Sequence, residues 1–155
     1  MGIELTEGDL LAADVDALVN PVNCVGVMGK GLALQFKRAF PHAFQEYAKA
    51  CKAGEVVPGR VHVVRRSSPP ETIFHFPTKK HWRHPSRLEW VVDGLADLKK
   101  QVRELEIASI AIPALGCGLG GLQWGAVRPA IEAAFAELPE VTVWLYGPGG
   151  ASRRP

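Results

Sequence analysis

The sequence predicts a three-layer α/β domain in which helices cover both faces of a mixed central sheet. Short apolar runs alternate with longer amphipathic segments along most of the 155 residues, as they do when strands and helices follow one another. Two strands follow each other directly in the middle of the chain, which indicates a mixed sheet and not a purely parallel one. Two glycine clusters each lie between a strand and a helix, where an α/β domain places its ligand-binding loops.

The chain begins with a strand, a short helical segment and a second strand. Residues 3–6 alternate between apolar and polar side chains. Asp9 is placed to cap a short helical segment at 10–13, because its carboxylate accepts from the first free N–H groups of a helix. Another role for the same carboxylate is to accept an amino group of a ligand. Residues 17–23 form an apolar run typical of a buried strand.

Two helices and two strands come next. Apolar and aromatic residues at 31–40 and 43–52 recur at helical spacing, and Pro41 separates the two helices. Residues 60–66 alternate as a strand, and 72–77 form the strand that follows directly.

The second half of the chain begins with a long helix at 87–105, which carries one apolar stripe. Ser86 with Glu89 three residues later is typical of a capping box at its start. The remaining elements are a strand, a helix and a strand, at residues 107–113, 123–138 and 141–146.

Composition and charge exclude several classes of protein. The chain is 47% hydrophobic and 22% charged, which is typical of a globular protein, and we expect one domain at 1–150 followed by a flexible tail at 151–155. No apolar run approaches the roughly 18 residues of a membrane span, and early acidic residues argue against a secretory signal. The net charge of +2 is too small to indicate nucleic-acid binding by itself.

Cysteine and histidine usage favours a reducing, cytoplasmic location without a metal site. Cys24, Cys51 and Cys117 are odd in number, far apart and without the spacing of a zinc site. His81 and His84 lie three residues apart, but the sequence shows no third ligand near them.

The two glycine clusters are suited to anion binding. The first glycine loop (residues 26–31) and the second glycine loop (residues 116–121) let the backbone approach a ligand closely. The helix after each loop adds free N–H groups and the positive end of its dipole. Neither loop matches a known phosphate-loop motif, so each alone is equally compatible with a tight turn. Together they suggest a ligand with more than one phosphate.

Further polar groups fall at or just beyond the ends of predicted strands. Asn20 and Asn23 end the second strand and either brace the first glycine loop or bind a hydroxyl-rich ligand, because a buried asparagine needs partners. Residues 78–81 follow the fourth strand, and Tyr146 ends the last one. Ligands of such sheets bind beyond the carboxyl ends of the strands, so a small-molecule site is expected there.

A basic stretch with an aromatic ring follows the fourth strand. Such a combination contacts phosphates and stacks on a base of a single strand. The alternative is a solvated basic turn that continues into the charges of a helix start. The candidate DNA-contacting residues are Lys79, Trp82, Arg83 and Arg87.

These motifs together resemble the macrodomain, the fold that binds ADP-ribose. The resemblance covers about residues 3–148. It rests on the order of Gly8-Asp9-Leu10, Asn20-Pro21-Val22-Asn23, the first glycine loop, the run from Pro113 to Leu119, and Leu122-Gln123-Trp124.

The resemblance implies a role for each matching position. Asp9 would hold the adenine amino group, Asn23 the distal ribose and Tyr146 the adenine or its ribose, while the two glycine loops would cradle the diphosphate. The implied ADP-ribose contacts are Asp9, Leu10, Asn20, Asn23, Met28, Gly29, Lys30, Gly31, Leu32, Thr78, Pro113, Leu115, Gly116, Cys117, Gly118, Leu119, Gly120 and Tyr146.

Within the family, the residues from Met28 to Ala33 and Thr78-Lys79-Lys80 are similar to one branch. It contains the terminal ADP-ribose protein glycohydrolase and the DarG antitoxin macrodomain, which both use a lysine at the position of Lys80. The protein-directed relative has Asp where this chain has Gly120. The resemblance therefore favours removal of ADP-ribose from thymidine in DNA, which reverses a DNA ADP-ribosyltransferase toxin. The alternatives are hydrolysis of ADP-ribosyl-glutamate on proteins and a non-catalytic ADP-ribose reader.

The same resemblance implies the partners. They are ADP-ribose, ADP-ribosylated single-stranded DNA and a DarT-like toxin, with no cofactor, because ADP-ribose is the product. In DarG-like proteins a separate region binds the toxin, and we expect this chain to be an excised domain without that region.

Lys80 has two alternative roles at C1″ of the distal ribose. As a neutral amine it would attack as a nucleophile, with its pKa lowered by the neighbouring Lys79 and by partial desolvation. As an ammonium ion it would donate a proton to the departing base or stabilise its charge. Sequence spacing does not separate the two roles.

Overall fold

The computed structural model describes residues 2–148, and the predicted tail at 151–155 lies outside them. Within the described residues the chain forms six strands and four α-helices. The strands are β1 (Gly2–Thr6), β2 (Ala17–Val22), β3 (His62–Arg65), β4 (Thr72–Pro77), β5 (Ser109–Ile112) and β6 (Thr142–Tyr146). The helices are α1 (Gly31–Ala39), α2 (Pro41–Lys52), α3 (Leu88–Glu104) and α4 (Trp124–Phe135).

The strands form one sheet in the order β1-β6-β5-β2-β4-β3. β3 pairs antiparallel with β4, and the other neighbouring strands are parallel. This confirms the mixed sheet that the two consecutive strands predict. The carboxyl ends of the five parallel strands meet at one edge of the sheet, which we call the carboxyl edge.

Both faces of the sheet are covered by helices. Ala17 and Val19 of β2 pack in a core with residues of α3 and α4, such as Leu95. Leu18 of the same strand points to the other face and packs with Phe36 of α1. Because successive strand residues face opposite sides, a run apolar on both sides is buried between two layers, as the three-layer prediction requires. No helix within residues 2–148 is long and apolar enough to cross a membrane.

Several element boundaries differ from the predictions by a few residues. α2 begins at Pro41, earlier than predicted, because proline lacks only an N–H that the first turn of a helix leaves unpaired. α4 ends at Phe135, earlier than predicted, and Leu138 donates its N–H to the Phe135 carbonyl in the following turn.

The predicted capping box at the start of α3 is wrong. The N-cap is Arg87, which makes no side-chain capping bond, and its guanidinium instead approaches Glu89 at 3.4 Å. Ser86 lies one position too early to cap the helix. Its N–H donates to the Gly120 carbonyl at 3.0 Å, which ties Ser86 to the second glycine loop.

Candidate functional site

Asn23 shapes the entry to the first glycine loop. Its Oδ1 accepts from the N–H groups of Val25 (3.0 Å) and Val27 (3.4 Å), and its Nδ2 donates to the Val27 carbonyl at 2.8 Å. The buried Tyr47 hydroxyl of α2 lies 2.8 Å from Asn23 Oδ1 and 2.9 Å from the Asn23 carbonyl. Asn23 therefore braces the first glycine loop, which is one of the two roles that the sequence suggests for it.

The first glycine loop leads into the N-terminus of α1. Lys30 is the N-cap and makes no side-chain capping bond. Within residues 2–148, the N–H groups of Gly31, Leu32 and Ala33 have no hydrogen-bond acceptor. Three open donors at the positive end of a nine-residue helix suit an anion.

The second glycine loop offers a second set of open donors. Gly116 has a φ of +74°, which lets the chain turn after β5, and its carbonyl accepts from the Leu122 N–H at 2.9 Å. In the described part of the chain, the N–H groups of Gly118, Leu119 and Gly120 make no hydrogen bond. The two loops thus present separate groups of donors at the carboxyl edge.

Ser86 fills the space beside Gly120. A Cβ on Gly120 would collide with Ser86 Oγ and would lie 2.5 Å from the Gly116 carbonyl oxygen. The Ser86 side chain is buried, and among the described residues its Oγ has no hydrogen-bond partner. A residue larger than glycine at position 120 is therefore excluded unless both Ser86 and the Gly116 carbonyl move.

The lysine segment (residues 78–86) joins the two loops through main-chain hydrogen bonds. At its start, the Thr78 N–H donates to the Val22 carbonyl at 2.9 Å. The Lys80 carbonyl accepts from the Cys24 N–H at 3.2 Å. At its end, the Ser86 N–H donates to Gly120. Lys80 therefore lies on a segment fixed at one end to β2 and the residue after Asn23, and at the other end to the second glycine loop.

The Lys80 side chain is exposed, and its Nζ lies 5.6 Å from the centroid of the Trp90 ring in α3. The guanidinium of Arg87 lies 5.4 Å from the same centroid. Lys79 points elsewhere, since its Nζ donates to the Trp82 carbonyl at 3.4 Å. Burial lowers the pKa of Lys79 from its usual value.

The thiol of Cys24 lies beside the main chain of Lys79 and Lys80. Its Sγ donates to the Lys79 carbonyl at 3.6 Å. Burial, and then the neighbouring Cys51, raise the pKa of Cys24 to about 11, although Lys80 opposes the shift. The thiol is protonated at neutral pH and is therefore a poor nucleophile, because the thiolate is the reactive form.

The rest of the lysine segment forms an exposed basic and aromatic surface. Trp82 is 48% exposed, with the Arg83 guanidinium 4.8 Å from its ring centroid and the His81 ring 5.1 Å away. The rings of His81 and His84 are 5.2 Å apart, and His81 Nδ1 accepts from the Arg83 N–H at 3.1 Å.

Asp9 and Tyr146 lie at the other end of the carboxyl edge. Asp9 caps the short 3-10 helix Leu10–Ala12, with its Oδ1 accepting from the Leu11 N–H at 3.1 Å, as predicted. Tyr146 is largely buried, and burial raises its pKa, as does the negative charge of Asp9. The two side chains are therefore close enough to interact.

The structure separates the predicted ligand contacts into two groups. The buried residues of this set are Leu10, Asn20, Asn23, Met28, Thr78, Pro113, Leu115, Gly116, Gly120 and Tyr146. Asn20 is fully buried, and its Nδ2 lies 3.7 Å from Met28 Sδ. The residues of this set whose surface is open or half-open are Asp9, Gly29, Lys30, Gly31, Leu32, Cys117, Gly118 and Leu119, and the proposed catalytic residue Lys80 is also exposed.

Three residues of the site have roles that sequence reasoning missed. The sequence places Tyr47 only among the aromatic residues of a predicted helix, and it predicts Ser86 only as a helix cap. Trp90 carried no signal, because its helical spacing does not reveal which cation packs on its ring.

The glycine loops at the carboxyl edge of a six-stranded mixed sheet define a macrodomain, and the chain belongs to this family. Its residues 19–131 match the family model described as Macro domain. The chain is 55% identical over 148 residues to a protein of Mycobacterium tuberculosis named DNA ADP-ribosyl glycohydrolase, covering 94% of this chain and 42% of the relative. It thus spans less than half the length of that relative.

Solved structures show the same similarity. The macrodomain of Thermus aquaticus DarG matches with a TM-score of 0.91 and 55% identity, covering 94% of this chain and 98% of that chain. Thermosipho africanus DarTG in complex with ADP-ribose matches with a TM-score of 0.89 and 36% identity, covering 95% of this chain and 42% of that one.

Proposed function

We propose that this macrodomain is a hydrolase that releases ADP-ribose from modified thymidine bases in DNA and so reverses a DNA ADP-ribosyltransferase toxin. The order of groups along the carboxyl edge carries the proposal. Asp9 follows β1, Tyr146 ends β6, the glycine loops follow β5 and β2, and Lys80 follows β4. At about 4.8 Å per strand, β1 and β4 are about 19 Å apart. That order suits an extended ligand with adenine at one end, a diphosphate in the middle and the reacting ribose beside Lys80.

The relatives support this ligand and this chemistry. The M. tuberculosis protein is named a DNA ADP-ribosyl glycohydrolase, and the DarTG structure is a complex with ADP-ribose. Because this chain covers 42% of each, their full activities and their toxin partners extend to it only as part of the proposal. We place ADP-ribose in the site and a DarT-like toxin among the partners.

The surface around Lys80 favours single-stranded DNA as the carrier of the modification. Trp82 with Arg83 offers a stacking face beside a cation, and Arg87 adds a second positive charge. Apolar side chains are exposed at the tips of the neighbouring loops, with Val25 at 46% and Leu119 at 71%. Aromatic and apolar surface between cations binds unstacked bases and the phosphates that join them.

The packing at Gly120 disfavours the protein-directed alternative. A carboxylate at this position has no room, because Ser86 Oγ and the Gly116 carbonyl occupy the place of its Cβ. Lys80 therefore works without a carboxylate partner from residue 120.

The proposal is tested by product release from defined substrates. We would incubate the protein with a single-stranded oligonucleotide that carries ADP-ribose on thymine and, in parallel, with a protein that carries ADP-ribosyl-glutamate. Lys80→Ala removes the catalytic group, and Lys100→Ala is the matched control, an exposed lysine of α3 outside the site. We expect release from the oligonucleotide only, lost in Lys80→Ala and retained in Lys100→Ala.

Two other outcomes would contradict the proposal. Release from the protein substrate only would show that Gly120 does not determine the substrate. No release from either substrate, with ADP-ribose binding intact by calorimetry, would make this macrodomain a reader.

A further inference from the structure

The ring of Trp90 lies next to the side-chain amine of Lys80, the proposed catalytic residue. It lies in the first turn of α3 and is half-buried. Lys80 Nζ and the Arg87 guanidinium lie 5.6 Å and 5.4 Å from its ring centroid. Both distances are within the roughly 6 Å at which a ring attracts a cation.

The ring is the contact that orients the lysine. The Lys80 backbone is fixed through its carbonyl bond to Cys24, but the exposed side chain has four rotatable carbons beyond it. Within residues 2–148, Lys80 Nζ makes no hydrogen bond or ion pair. A ring held on a long helix therefore limits where the ammonium group lies.

A ring face also selects one protonation state. Its quadrupole attracts an ammonium ion, whereas a neutral amine gains little from it. We propose that Trp90 is a positioning residue that holds Lys80 as an ammonium ion, so that Lys80 acts as a proton donor and not as a nucleophile. This inference rests on the proposed function, and it separates the two roles that the sequence leaves open.

The step it describes is a hydrolysis. The bond between C1″ and the ring nitrogen of the base breaks, and its electron pair goes to that nitrogen. Lys80 Nζ transfers a proton to the nitrogen and becomes a neutral amine. Water adds to C1″ and loses a proton, which restores the ammonium ion. One water is consumed, and ADP-ribose and the unmodified base are released.

The test weakens the attraction of the Trp90 ring for a cation without changing the shape of the ring. Site-specific incorporation of tryptophans with one to four fluorines at position 90 lowers the ring quadrupole stepwise. We would measure kcat and KM on the ADP-ribosylated oligonucleotide from neutral to alkaline pH, and titrate Lys80 Nζ by NMR. Trp90→Phe and Trp90→Leu extend the series, and Val92→Ala is the control, an exposed residue of the same helix.

We expect kcat to fall with each added fluorine, to about one tenth in Trp90→Leu, with Trp90→Phe in between. KM and the affinity for free ADP-ribose should stay unchanged. The alkaline limb of the pH profile and the Lys80 titration should move together to lower pH as the ring weakens.

Outcomes that overturn the inference differ from those that overturn the function. One outcome is that kcat and the Lys80 titration do not change across the fluorinated series while the unaltered protein releases ADP-ribose from DNA. That outcome would reject the positioning role of Trp90 and leave the proposed function standing. A loss in Trp90→Leu without any trend across the fluorines would assign the ring a packing role and also reject the inference. No release by the unaltered protein would reject the proposed function and the inference with it.

Discussion

The buried hydroxyl of Tyr47 donates to Asn23, which in turn accepts from the backbone of the first glycine loop. Tyr47→Phe removes the hydroxyl donor, so the buried carbonyl and Oδ1 of Asn23 lose the hydrogen bond from residue 47. We expect a loss of about 1–3 kcal/mol in the free energy of unfolding, together with weaker ADP-ribose binding. Denaturant unfolding and calorimetry measure the two effects. Unchanged affinity would show that the loop keeps its shape without Tyr47.

Gly120 and Ser86 compete for one space. Gly120→Ala should destabilise the protein by about 1–3 kcal/mol, because overpacking forces Ser86 or the loop to move. Ser86→Gly in the same chain should restore only part of that loss, because the Gly116 carbonyl oxygen would still lie 2.5 Å from the added Cβ. Gly118→Ala is the matched control, since a Cβ there has no heavy atom within 4 Å. Equal losses for Gly118→Ala and Gly120→Ala in denaturant unfolding would exclude the proposed collision.

At the scale of elements, the pairing of β3 with β4 brings two histidines together. His75 is 1% exposed, and its Nδ1 lies 3.0 Å from His62 Nδ1. Burial, and then the positive charge of His62, lowers the pKa of His75 to about 3. Burial also lowers the pKa of His62.

This pair should make stability depend on pH. Unfolded histidine has a pKa of about 6.5, so below that pH the unfolded state binds more protons than the folded state. The stability contributed by neutral His75 is present above pH 6.5 and is lost as the pH falls towards 3. From pH 7 to pH 5 we expect a loss of about 2 kcal/mol, measured by denaturant unfolding. His75→Asn should flatten this dependence, and an equally steep loss in that variant would refute the assignment.

At the scale of the whole molecule, the small net charge of +2 conceals a basic surface around the lysine segment. Binding of the ADP-ribosylated oligonucleotide should weaken with salt. Arg83→Ala and Arg87→Ala should each reduce the slope of log affinity against log salt by about 1. Binding of free ADP-ribose should not change. Arg103→Ala, at the far end of α3, is the control, and a slope that falls equally in this variant would contradict a local DNA-binding surface.

Much of the fold was predictable because its signals are local. The apolar runs and helical stripes indicated six strands and four helices, and the two consecutive strands indicated the mixed sheet. The positions of the glycine loops and of Lys80 beyond the strand ends were also predictable, since their residue types and order carry the resemblance to macrodomains, while the catalytic role of Lys80 stays a prediction. The missed roles depend on contacts between segments far apart in sequence: Tyr47 with Asn23, Ser86 with Gly120, and Trp90 with Lys80.

The lysine segment is attached to its neighbours by main-chain atoms: the Thr78 N–H, the Lys80 carbonyl and the Ser86 N–H. None of those atoms belongs to residues 81–85, so a side-chain substitution there removes no donor or acceptor of these three bonds. The stretch that the proposed function places against the modified DNA therefore lies between two main-chain attachments in which residues 81–85 take no part. Substitutions at 81–85, in evolution or by engineering, can therefore change which modified macromolecule the macrodomain accepts while the two glycine loops keep their structure.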